Sequence, residues 1–93
     1  MLEVERLRAE VLELRERTAQ LERALESRIV IEQAKGALAE RLGVPTDTAF
    51  TLLRRAARSE QMRIHALASE VMSGRATPAP VAREVTRMRG RER

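Results

Sequence analysis

The residues of this chain best suited to chemistry are cationic. Arg54, Arg55 and Arg58 lie close together, Arg63 follows shortly after, and Lys35 stands next to Gly36 as the single lysine. A guanidinium offers a planar fork of donors that engages phosphate oxygens in pairs and stacks on bases. A glycine beside a lysine suits close approach of another backbone or a ligand. That chemistry is recognition of a polyanion, and an irregular RNA loop with splayed bases fits it well. Spacing alone leaves two readings open for the arginines: convergence on one face, or a scatter of solubilising charge. Gly36 likewise reads either as a point of close approach or as simple tolerance of glycine in a helix, at about 1 kcal/mol.

Catalytic constellations are missing. His65 is the only histidine and there is no cysteine, so any Cys–His or Ser–His pair would depend on that one residue. His65 follows the apolar Ile64 and reads as a solvated or interfacial side chain. The four glycines are scattered and build no phosphate-cradling loop. Metal-ligand spacing is absent as well. The expectation is a protein that is not an enzyme, with no cofactor, no metal and no small-molecule substrate.

Composition narrows the class further. Phe50 is the one aromatic residue, which disfavours a β-sandwich or barrel and the aromatic base-stacking sheets of RRM or OB type. Without cysteine the default home is intracellular, here cytoplasmic. No apolar run approaches the roughly 18 residues of a membrane span, and no secretory signal opens the chain. Charge is uneven. Residues 1–28 carry six Arg against seven Glu, whereas residues 29–93 carry eleven Arg and one Lys against six Glu and one Asp. A basic second half fits a polyanionic partner; a GC-rich genome that inflates Arg and Ala at exposed positions is the other explanation.

The elements that must position these groups are helical, and the fold class read from the sequence is all-α. Residues 1–28 form a coiled-coil dimerisation helix. Val4, Leu7, Val11, Leu14, Thr18, Leu21 and Leu25 occupy alternating a and d heptad positions. Valine at a with leucine at d favours a parallel two-stranded coil. The facing g and e positions would pair Glu3 with Arg8, Glu10 with Arg15 and Arg17 with Glu22, all opposite in sign. A lone amphipathic helix packed on another domain is the competing reading, but it gives no reason for three matched pairs. No proline or glycine separates the coil from Ile29–Leu42, so one helix is expected from about Leu2 to Leu42, roughly 60 Å long at 1.5 Å per residue.

Residues 29–73 read as a compact three-helix unit. Gly43 and Pro45 end the long helix. Thr46 or Asp47 is placed to cap a second helix reaching about Glu60, with Ala49, Phe50, Leu53, Ala56 and Ala57 as its apolar face. After a break near Ser59–Gln61, a third helix runs from about Met62 to Met72 with Ile64, Leu67, Ala68 and Val71 on one face. Residues 74–93 read as a linker, Ala76 to Pro80, and a flexible, disordered basic tail with at best a weak helical turn through Val81, Val85 and Met88.

Four segments together resemble the ANTAR family of transcription antitermination regulators: Ile31-Glu32-Gln33-Ala34-Lys35-Gly36-Ala37-Leu38, Leu42-Gly43-Val44, Ala49-Phe50-Thr51-Leu52-Leu53-Arg54-Arg55-Ala56-Ala57, and Ile64-His65-Ala66-Leu67-Ala68-Ser69-Glu70-Val71-Met72. The resemblance covers roughly residues 29–73. It implies a bacterial homodimer whose three-helix units bind two adjacent hairpins in nascent leader RNA, one protomer to each apical loop, so that the overlapping terminator stem cannot form. Lys35, Gly36 and Arg54 match the family's Lys-Gly and Leu-Arg pairs, while Ala49, Phe50, Leu53, Leu67 and Ala68 match core positions. The RNA-binding set expected on this basis is Lys35, Gly36, Arg54, Arg55, Arg58 and Arg63. The family often places Ser or Thr where Pro45 stands, Asn where Gln61 stands and an acidic residue where Ala66 stands. Members usually carry a sensory domain, and none is visible here. That leaves input from a separate sensor protein, constitutive binding, or a fragment. The rival classes are a coiled-coil interaction or adaptor module, and a helix-turn-helix-like DNA-binding regulator.

Overall fold

The computed structural model describes residues 1–92, and among them the chain is four α-helices. Helix α1 spans Leu2–Leu42, α2 Thr46–Ser59, α3 Ile64–Ser73 and α4 Ala79–Arg91. The molecule is elongated, 72 Å along its longest axis and 22 Å across, because α1 is a single 41-residue rod with a small bundle at its C-terminal end. The long continuous helix is the one expected from the uninterrupted run of helix formers.

Helix α1 stops at Gly43, which sits in the left-handed region at φ 65°, ψ 40°. The Val44 amide donates back to the Ala39 carbonyl at 3.0 Å, and Val44 packs against the core. This is the six-to-one hydrogen bond that satisfies a carbonyl orphaned at a helix end. The same arrangement closes α2 without a glycine. Gln61 adopts φ 53°, its amide donates to Arg58 at 3.1 Å, and the Met62 amide donates to Ala57 at 3.0 Å. A left-handed non-glycine residue costs about 1–2 kcal/mol, so the α2–α3 turn holds strain that the α1–α2 turn does not. Neither Thr46 nor Asp47 caps α2, contrary to expectation. Pro45 is the N-cap, with no side-chain bond, and Asp47 instead lies in the first turn, where a negative charge favours the helix dipole.

The core forms where α2 and α3 meet the last third of α1. Leu38, Leu53, Leu67 and Val71 are fully buried there, with Ala34, Ala49, Ala56, Ala57 and Ala68 letting the helices approach closely. Arg41 fastens the end of α3: its guanidinium donates to the carbonyls of Val71 at 3.4 Å and Gly74 at 3.2 Å. Two departures from expectation concern α2. Leu52, absent from the expected apolar face, is buried, while Phe50 is only partly buried and stands outside the core cluster. Helix α2 therefore buries a wider arc than one stripe.

The reason is α4, which corrects the expected disordered tail. Residues 79–91 are helical and pack on α2 alone, burying Val81, Val85 and Glu84. The two prolines that read as linker start the helix. Pro78 is its N-cap and Pro80 lies in the first turn, where a missing N–H costs nothing. The amides of Val81 and Ala82 close that turn on the Pro78 carbonyl, each at 3.0 Å.

The stem up to about residue 22 stands clear of the bundle, and residues 23–27 only border α3. Val4, Leu7, Val11, Leu14, Leu21 and Leu25 are all exposed, Leu21 by 72%. No described helix is long and apolar enough to cross a membrane.

Candidate nucleic-acid interface

The cationic residues singled out by the sequence are held at defined places by α1, α2 and the start of α3. They do not all share one cavity. Arg55 and Arg58 are three apart on α2, hence on one face. They line a groove of about 310 Å³ together with Ser59 and, from α4, Glu84, Arg87 and Arg91. Arg63, the N-cap residue of α3, lines a different hollow of about 580 Å³ with His65 and Ser69 on α3 and Arg23, Glu26, Ser27 and Val30 on α1. Arg54, Lys35 and Gly36 line neither.

Arg54 projects one turn beyond Phe50, and its guanidinium carbon stands 5.8 Å from the centre of the Phe50 ring. A cation over an aromatic face at that range is worth roughly 0.5–1 kcal/mol at an exposed site. The contact orients Arg54 while leaving its donors open to solvent, which is what a phosphate or base contact needs. Lys35 is held less freely: its Nζ lies 3.0 Å from a Glu32 carboxylate oxygen, with about a quarter of the side chain exposed. The pair is half-buried on the lysine side, and a phosphate at Lys35 would have to compete with the Glu32 carboxylate. Gly36 is exposed, and a Cβ built there would meet nothing within 4 Å. Within one chain, therefore, nothing approaches Gly36.

The α2–α4 groove carries an imbalance of charge. Four guanidinium groups face one carboxylate, and that carboxylate is turned inward: Glu84 is 7% exposed and accepts from Arg87 at 3.0 Å. Arg55, Arg58 and Arg91 form no ion pair with any described residue. Arg87 and Arg91 are absent from the expected site because the sequence reads their segment as a disordered basic tail. Their signal was the spacing of Val81, Val85 and Met88, with Glu84, Arg87 and Arg91 along the edge of that same face.

Among the described residues no group of three or more His, Asp or Glu gathers as metal ligands. What the arrangement offers chemically is a set of fixed hydrogen-bond donors with surplus positive charge.

The family model for the ANTAR domain matches residues 19–72, more than half of the chain. The match opens inside the expected coil, twelve residues before the first of the motifs that carry the resemblance, and stops at the end of α3, so α4 lies outside it. No curated protein and no solved structure matches the chain. On the strength of that match, and of a helical unit that holds its motifs in order, the chain belongs to the ANTAR domain family, whose members are RNA-binding antitermination regulators rather than enzymes.

Proposed function

We propose that this protein works as a parallel homodimer in the bacterial cytoplasm, gripping paired stem-loops in a nascent leader RNA and thereby preventing the terminator stem from forming. The single observation that carries the reading is the family match over residues 19–72. The exposed heptad stripe supplies the second copy. Among the described residues Val4, Leu7, Val11, Leu14, Leu21 and Leu25 are exposed, and the Thr18 hydroxyl bonds only the Leu14 carbonyl of its own helix. Arg8, Glu10, Arg15 and Glu22 make no ion pair with any described residue, leaving them for a neighbouring helix, while Glu3 and Arg17 pair along the helix with Arg6 and Glu13. A dimer suits two tandem loops, since joining two modest contacts through one rigid stem raises affinity by a factor of about 10²–10⁴.

In this reading Lys35 contacts phosphate, Gly36 admits a close approach from RNA or the second chain, and Arg54, Arg55, Arg58 and Arg63 hold loop phosphates and bases. Arg63 belongs to a hollow separate from that of Arg55 and Arg58, so the RNA would wrap α2 and α3 instead of filling one pocket.

Competition binding tests this directly. A labelled two-hairpin RNA is displaced by unlabelled two-hairpin RNA, one-hairpin RNA or duplex DNA. The expected order of potency is two hairpins, then one, then duplex, with the first two separated by at least tenfold. Duplex DNA as the strongest competitor would replace this reading with a DNA-binding one. Arg54→Ala and Lys35→Ala should each weaken RNA binding several-fold with unchanged helicity; equal affinity in both would remove them from the site.

A further inference from the structure

The strongest unassigned feature is the groove between α2 and α4. Its four arginines come from two helices that are separate in sequence, and two of the four lie on an element beyond the residues the family model matches. Their placement is built into the packing. Val81 and Val85 anchor one face of α4 against α2, and Glu84, Arg87 and Arg91 run along the edge of that face, three and four residues apart. Arg83 of α4 pairs with Glu60 just past the end of α2, setting the register of the two helices. Like charges crowded on a small domain repel one another. The one carboxylate able to relieve them is buried and committed to Arg87.

We propose that this groove is an additional phosphate grip, through which α4 takes part in holding the same RNA that binds α2. The inference rests on the RNA reading above and extends it to α4. The ligand chemistry is the sugar–phosphate backbone: guanidinium pairs bind phosphate oxygens bidentately, and no aromatic residue is present in the groove to read a base. Each phosphate engaged releases counterions, so the contribution appears in the salt dependence of binding, by about 0.7–0.9 in the slope per contact.

The experiment uses the full chain and the two-hairpin RNA over a salt series. Arg87→Gln/Arg91→Gln is compared with Arg6→Gln/Arg89→Gln, which removes the same charge elsewhere. Because Arg87 also pairs with Glu84, Arg91→Glu is measured as well, leaving that pair intact, and thermal melts confirm that each variant is folded. The groove variants are expected to lose tenfold or more in affinity, and the double variant to lower the salt slope by about one to two, while the control pair changes affinity less than threefold. Groove variants that match the control, against a wild-type protein that binds RNA tightly, would overturn the grip and leave the RNA reading standing. A wild-type protein that ignores RNA would overturn both. Loss of binding to polyglutamate but not to RNA in the groove variants would assign the groove to an acidic protein partner and overturn the proposal.

Discussion

The two ends of α1 are one helix and obey opposite rules. From Ala34 to Leu42 its apolar side chains disappear under α2 and α3, and Leu38 is fully buried. From Leu2 to Leu25 its leucines and valines stay in water. Helix propensity is similar along its length, so the difference lies in what each half can pack against. The lesson is that this fold closes at one end only. The bundle satisfies itself within one chain, whereas the stem leaves an apolar seam exposed, the seam that the proposed second chain would cover. Burial of that kind is the main source of stability for chains of this size.

The contrast can be broken most forcefully in the bundle. Leu53→Ala should cost about 2–5 kcal/mol in chemical denaturation, because it leaves a cavity at the centre of the α1–α2–α3 contact. A loss below about 1 kcal/mol would show that the bundle is not the stable unit. In the stem, Leu14→Asp places a charge in the middle of the seam. Light scattering should report a dimer for the parent and a monomer for the variant, with the bundle still folded. The parent's melting temperature should also rise with protein concentration, as it must for an associating system. A variant that remained dimeric would remove the heptad from the interface.

Smaller effects sharpen the comparison inside the bundle. The two turns use one hydrogen-bond pattern with different residues. Gly43→Ala should destabilise by about 1 kcal/mol, since Gly43 holds φ 65°. Gln61→Gly should stabilise by about 0.5–1 kcal/mol, since Gln61 holds φ 53°. Opposite signs in paired thermal melts are the expected result; the same sign in both would show that the two turns do not share a mechanism. Arg41→Ala should cost about 1 kcal/mol by releasing the carbonyls at the end of α3, read as faster amide exchange around Gly74.

The contrast also explains how far the sequence could be read. The stem was legible because seven heptad positions and an unbroken run of helix formers repeat one signal over forty residues. The three-helix unit was legible through Gly43, Pro45 and the stripe on α3. Helix α4 was not, because its evidence is spread over contacts distant in sequence. It is short and basic, prolines stand at its N-cap and its second position, and Val81 and Val85 acquire meaning only when α4 is seen to pack on α2. Leu52 in turn falls off the expected stripe because α2 is packed from two sides. Of the candidate site the sequence offered single residues but not their grouping. Arg55 and Arg58 were named without the two arginines beside them, and Arg63 proved to line another hollow.

The central claim is that two chains act together on one folded transcript. The most direct measurement is the mass of the complex formed with a two-hairpin RNA, by sedimentation equilibrium at saturating protein. Two chains bound to one RNA are expected, collapsing to weak binding of single chains when Leu14→Asp is used. A complex of one chain with one RNA at undiminished affinity would contradict it.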